Sequence, residues 1–129
     1  MNGRYVLDTN IVVALFDEEQ VVLERIAAAD ETIVPIPVIG ELFHGALNSR
    51  RTRANVQRIE ALAQAHTIVA QDMETAKHYG AIKTALRRKG TPIPDNDIWI
   101  AALARQHGAT VASRDQHFNA VDGLLVERW

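Results

Sequence analysis

The sequence contains no cysteine, which removes disulfides, cysteine-ligated zinc, iron-sulfur clusters and thiol catalysis together and fits a reducing cytoplasm. Long apolar runs are missing near the N-terminus. The longest there, Ile11 to Phe16, is too short for a signal-peptide core or a membrane span, so a soluble cytoplasmic protein with no membrane association is expected. An excess of positive charge is also missing. The formal net charge of −2 argues against holding nucleic acid by bulk electrostatics alone. No Gly-x-Ser-x-Gly elbow is present, which leaves serine-based acyl transfer with little support. Repeats, low-complexity segments and linkers are absent as well. A chain of 129 residues that is 47% hydrophobic fits one globular domain, residues 1–129, with a substantial core.

What is present is an alternation of short β-branched runs with amphipathic stretches. Strands are expected at residues 5–7, 32–36, 67–69, 110–112 and 124–126, where apolar and β-branched residues cluster. Helices are expected at residues 11–16, 18–29, from Pro37 to about Asn48, 51–64, 72–89 and 98–107, from apolar residues spaced three or four apart. Pro37 suits the first turn of its helix. Arg87-Arg88-Lys89 before Gly90 has the cations and the glycine of a helix C-terminus. Thr91-Pro92-Ile93-Pro94 reads as a loop stiffened by two fixed φ angles. This alternation implies parallel β-α-β units around a central sheet covered on both faces.

The first strand ends on Asp8-Thr9-Asn10. In an open parallel sheet, ligands bind outside the carboxyl ends of the strands, so Asp8 stands where chemistry is usually found. It could equally cap the following helix. Three further carboxylates would border the same edge. Glu41 lies one turn into the helix after the second strand, among Ile39, Gly40, Leu42 and Phe43. Asp97 opens the helix after the rigid loop, and Asp115 follows the fourth strand. Of the acids and amides at that helix start, Asp95 or Asn96 is assigned to capping. Acids so crowded repel one another unless protons or cations neutralise them. With no soft ligand available, magnesium or manganese is the natural choice, and metal-assisted phosphodiester hydrolysis is the reaction class that most often needs such a cluster.

Other residues offer less. Glu41 and His44 form a single Glu-x-x-His pair, whereas di-iron bundles need two. His66, His78, His107 and His117 show no ligand spacing with one another. Basic residues gather at Arg50, Arg51, Arg53 and Arg58 and again at Lys83, Arg87, Arg88 and Lys89; both groups read as solvated helix ends that could also hold a phosphate backbone.

Val6-Leu7-Asp8-Thr9-Asn10, Gly40-Glu41-Leu42, the run Asn96-Asp97-Ile98-Trp99-Ile100-Ala101-Ala102, and Ser113-Arg114-Asp115 followed by Phe118 resemble, in this order, the signatures of PIN-domain ribonucleases. The whole chain is most similar to VapC-type toxins, including its ending from Val121 to Trp129. The resemblance implies an α/β, Rossmann-like three-layer fold with a central, mostly parallel five-stranded sheet flanked by helices. It implies that Asp8 and Asp97 are the principal Mg2+ or Mn2+ ligands, Asp115 a further acid at that metal, and Glu41 a ligand or water-positioning carboxylate. Asn10 and Ser113 match supporting polar positions, and Thr9 and Asn10 are expected to cap the next helix and orient Asp8. An endoribonuclease acting on structured RNA such as tRNA or rRNA is implied, as a homodimer inhibited by a small VapB-type antitoxin. Arg50, Arg51, Arg53, Arg87, Arg88 and Lys89 are then candidate RNA contacts. The alternatives are a catalytically silent module of the same fold that binds RNA or protein, and a phosphatase or receiver-like domain phosphorylated on Asp8. The phosphatase version normally has a second acid two residues on, where this chain has Asn10.

Overall fold

Val6 and Leu7 are wholly buried, and the strand that carries them, β1 (Arg4–Leu7), lies at the centre of the sheet. The computed structural model describes residues 3–129. After β1 come helices α1 (Thr9–Phe16) and α2 (Gln20–Ala28), strand β2 (Glu31–Pro35), helices α3 (Ile36–Leu47) and α4 (Thr52–Ala65), and strand β3 (Thr67–Val69). The chain continues through α5 (Met73–Lys89), α6 (Asp95–Gln106), β4 (Thr110–Ala112), a 3-10 turn at Gln116–Ala120 and β5 (Val126–Glu127).

The strand order is β3-β2-β1-β4-β5, and every pairing is parallel. This is the α/β architecture expected from the alternation of elements, with helices flanking a five-stranded sheet. The chain moves outward from β1 in one direction through β2 and β3, then returns to pair β4 on its other side. Such a reversal opens a crevice at the carboxyl ends of the two strands. Register sets what lies there. Leu7 is opposite Ala112, and the Asp8 amide donates to the Ala112 carbonyl at 3.0 Å, so Asp8 and Ser113 leave the sheet side by side.

Several boundaries differ from those expected. Helix α6 starts at Asp95 rather than Ile98, because Pro94 is its N-cap residue in extended geometry (φ −57°, ψ 145°). Asp95 and Asp97 thus lie in the first turn, at the positive end of the helix dipole. Ile36 opens α3 instead of closing β2. β5 begins at Val126, leaving Leu125 exposed. The 3-10 turn has no counterpart in the sequence pattern, which is too short to show a period.

The long helix α5 has the ends its sequence suggests. Asp72 and Thr75 form a capping box, and Gly90 closes the helix in the left-handed region at φ 74°. Phe118 is wholly buried and fastens the 3-10 turn to the core. Truncating it removes a full aromatic side chain from a packed site. Phe118→Ala should therefore lower the unfolding free energy by about 3–5 kcal/mol in urea denaturation, and a loss below about 1 kcal/mol would contradict this packing.

Candidate active site

The acids converge because Asp8 and Asp115 follow β1 and β4 at the crevice, while Asp97 lies in the first turn of α6 and Glu41 on α3. Asp8 is the N-cap of α1 (φ −74°, ψ 162°) and is only 6% exposed. Its Oδ1 accepts from the Thr9 amide at 2.8 Å. Its Oδ2 accepts from Ser113 Oγ at 2.6 Å and from Asn10 Nδ2 at 3.2 Å. Asp8 is therefore a cap and a cleft residue at once. Of the two neighbours expected to cap α1, Asn10 orients the Asp8 carboxylate, while Thr9 turns its hydroxyl to Glu41. Asn10 Oδ1 also accepts from the Arg114 amide at 3.1 Å, tying the loop after β4 to the start of α1.

Ser113 is buried and joins two acids: its Oγ donates to Asp8 and accepts from the Asp115 amide at 2.9 Å. Asp115 is the N-cap residue of the 3-10 turn and accepts from the His117 amide at 2.9 Å. Asp97, buried in the first turn of α6, has its Oδ2 at 2.8 Å from His117 Nδ1, and the same nitrogen lies 3.1 Å from Asp115 Oδ1. Glu41 is exposed on α3, yet both its oxygens are held. Asn96 Nδ2 donates to Oε1 at 2.7 Å, and Thr9 Oγ1 donates to Oε2 at 2.9 Å.

Asp95 and Asn96, expected to supply a cap for α6, do not. Asp95 accepts from Tyr79 Oη and Lys83 Nζ at 3.0 and 3.1 Å, and Asn96 orients Glu41. His117 is the site residue absent from the sequence expectations. Histidine-to-histidine spacing carries no trace of it; the signal is Asp115-Gln116-His117, an acid and an imidazole two residues apart just after a core strand.

Asp8, Glu41, Asp97 and Asp115 line one open cleft of about 520 Å³, together with Arg114. That arginine is already engaged, its guanidinium donating to both oxygens of Glu19 at 2.8 and 3.2 Å. Burial pushes the Asp8 carboxyl above its ordinary range, against the hydrogen bonds from Ser113 and Thr9, and the charges of Asp97 and Glu41 push the same way. Asp97 is raised too, by burial first, against its bond to His117, with Asp115 and Glu41 adding to the rise. The Asp97 contact raises His117 above its ordinary value. A raised carboxyl contributes stability that is present below its unfolded value and is lost as pH rises through the folded one. Ionisation of Asp8 or Asp97 therefore works against folding. Raised His117 loses its stabilising contribution as pH climbs through its own folded value.

These donors suit a hard divalent cation. One ligand atom from each of Asp97, Asp115 and His117 lies within 4.8 Å of the others. Asp8 lies outside this tightest group but lines the same cleft. Among the described residues the only lysine or arginine lining the cleft is Arg114, held by Glu19, and a cation taking oxygen ligands relieves the repulsion directly. The basic clusters sit elsewhere and do not line this cleft. Arg50 and Arg51 fall between α3 and α4, with Arg53 in the first turn of α4. Arg87, Arg88 and Lys89 form the last turn of α5, where Lys89 donates to Asp122 at 3.0 Å.

Residues 5–124 match the family model of the PIN domain, and the chain is 34% identical over 129 residues to ribonuclease VapC2 of Haemophilus influenzae, covering 98% of both proteins. The chain belongs to the PIN-domain family, among its VapC-type toxins. A second VapC relative, the tRNA(fMet)-specific endonuclease VapC of Shigella flexneri, is 29% identical over 98% of each chain. Among solved structures, the VapC fold recurs in DNA-bound VapBC of Salmonella typhimurium with a TM-score of 0.90 at 26% identity, over 100% of this chain and 99% of that one. VapBC2 of Rickettsia felis, bound to a fragment of its promoter, gives 0.88 at 27% identity over 98% of both.

The imidazole between Asp97 and Asp115 can be followed directly. NMR titration without divalent metal should give His117 a pKa above 6.5, and Asp97→Asn should lower it. An unchanged value in that variant would refute the contact.

Proposed function

We propose that this VapC-type chain is a divalent-metal-dependent endoribonuclease, the toxin of a type II toxin-antitoxin pair, using Mg2+ or Mn2+ to hydrolyse phosphodiester bonds in structured RNA. The observation that carries this reading is the gathering of Asp8, Glu41, Asp97 and Asp115 around one cleft with no lysine or arginine free to neutralise them. Asp8, Asp97 and Asp115 would hold the ion. A cation held there supplies positive charge for the phosphodiester and for the attacking water.

The remaining roles fall to side chains whose hydrogen bonds suit them. Glu41 stands on the exposed side of the cleft with its two oxygens oriented by Asn96 and Thr9; it positions the attacking water and takes up its proton. Asn10 and Ser113 hold Asp8 in place. His117 neutralises Asp97 and Asp115 in part while the cation is away. Arg50, Arg51, Arg53, Arg87 and Arg88 are the candidate backbone contacts; Lys89, bound to Asp122, is less available.

The Shigella flexneri relative is a tRNA(fMet)-specific endonuclease, which favours structured RNA such as tRNA. The VapBC complexes of Salmonella typhimurium and Rickettsia felis support a small VapB-type antitoxin as partner, and the family likeness supports a homodimer. Among the described residues no helix is long and apolar enough to cross a membrane. The four acids gathered at one cleft argue against a silent binding module of the same fold.

Purified protein freed of antitoxin should cleave RNA in Mg2+ or Mn2+ and stop in EDTA. Asp8→Ala and Asp97→Ala should each reduce cleavage by more than about a hundredfold, beyond the ~10–100-fold typical of losing a partner outside the ligand set. Cleavage persisting at the wild-type rate in both variants would rule out the assignment.

A further inference from the structure

Beside the acid cleft, and sharing Thr9, Val13 and Glu41 with it, a second recess of about 340 Å³ opens between α1, α3 and α4. Its size falls within the range of ligand clefts. Val13, Phe16, Leu42 and Ile59 make its apolar lining, and Asn55 and Arg58 stand with them. Val13 is 45% exposed there, an uncovered apolar side chain next to a charged site.

Arg58 is held by a backbone carbonyl and an aromatic ring rather than by an acid. Its Nη2 donates to the Phe16 carbonyl at 2.7 Å and its guanidinium lies 4.8 Å from the Phe16 ring centre. No carboxylate pairs with it. Arg4, Arg25, Lys77, Lys83, Lys89 and Arg114 have acid partners, whereas Arg87, Arg88, Arg105 and Arg128, away from the recess, share with Arg58 the lack of one among the described residues. Arg50 and Arg51 in the turn before α4, and Arg53 in its first turn, are likewise without one among the described residues, so this turn and the first half of α4 carry uncompensated cations of which Arg58 stands at the recess. Asp17 is the one acid on the rim outside the catalytic cleft.

We infer that this recess is the subsite for the nucleotide next to the scissile phosphate, taking its base against Val13 and Phe16 and its backbone phosphate at Arg58, with the single strand continuing toward Arg53, Arg51 and Arg50. The inference rests on the nuclease reading and deepens it by fixing the path of the RNA. Continuity with the acid cleft is the first reason: a strand whose phosphate sits among the carboxylates has its neighbouring nucleotide beside Thr9 and Glu41. Charge is the second, since unpaired guanidiniums match a phosphate backbone. Chemistry is the third, because an apolar wall with an aromatic ring and a guanidinium plane accepts a base of any sequence by stacking.

Gly45 offers a way to test the recess without harming the fold. It lines the recess, and a Cβ placed on it meets nothing within 4 Å. Gly45→Leu would therefore fill the space while improving the helix propensity of α3. Binding of a fluorescent, mixed-sequence single-stranded RNA would be measured by anisotropy in EDTA, where no cutting occurs, for wild type, Gly45→Leu, Arg58→Gln and, as a charge control, Lys77→Gln. Gly45→Leu and Arg58→Gln should each weaken binding about tenfold or more, and Arg58→Gln should lower the slope of log affinity against log salt by about one contact. Lys77→Gln should behave as wild type.

Equal RNA binding by wild type, Gly45→Leu and Arg58→Gln would overturn the proposal. If those two variants instead lost only their complex with a VapB-type antitoxin, the recess would be a protein-docking surface and the proposal would again fail. The two readings separate cleanly. RNA binding weakened by both substitutions, with no cutting by the wild type in Mg2+ or Mn2+, would refute the nuclease alone, whereas normal cutting by both variants would refute the subsite alone.

Discussion

Burial of carboxylates close to one another is the constraint on which this site depends. Asp8 and Asp97 are buried at the carboxyl edge of a parallel sheet with Glu41 and Asp115 beside them, an arrangement that an uncompensated protein interior disfavours. The fold tolerates it through directed hydrogen bonds. Ser113, Asn10 and the Thr9 amide support Asp8, His117 stands between Asp97 and Asp115, and Asn96 with Thr9 fixes Glu41. What remains uncompensated is charge that a divalent cation can take up.

The sheet supplies the precision. Pairing Leu7 with Ala112 decides that Asp8 and Ser113 emerge together, and the parallel reversal between β1 and β4 opens the crevice they face. Pro94 then starts α6 early enough to put Asp97 on its buried side. Phe118 pins the turn that carries Asp115 and His117. At Asp8 and Asp97, raised pKa values mean that ionisation costs folding energy.

Much of this was legible in the residue pattern, and the illegible parts share a cause. Central strands such as Val6-Leu7 and Val111-Ala112 announce themselves by continuous apolar character, and the acids ending them mark the crevice by position alone. Helix α5 is readable from Asp72 to Gly90 because its caps are local. The role of His117 is not local: it depends on a 3-10 turn folding back onto α6. Asn96 looks like a cap from its neighbours and becomes a partner of Glu41 only because α3 and α6 meet in space. Arg58 reads as a solvated helix cation until α1 presents Phe16 beneath it. Residues whose partners lie far along the chain escape a reading built on spacing.

The acid cleft as a divalent-cation site is the point on which the functional account stands. Anomalous diffraction from a crystal soaked in Mn2+ tests it most directly. A single dominant anomalous peak is expected within bonding distance of carboxylate oxygens of Asp8, Asp97 and Asp115, with the His117 side chain withdrawn from between Asp97 and Asp115 or joined to the ion. Ordered carboxylates with no anomalous density in the cleft at saturating Mn2+, and His117 still bridging Asp97 and Asp115, would contradict it.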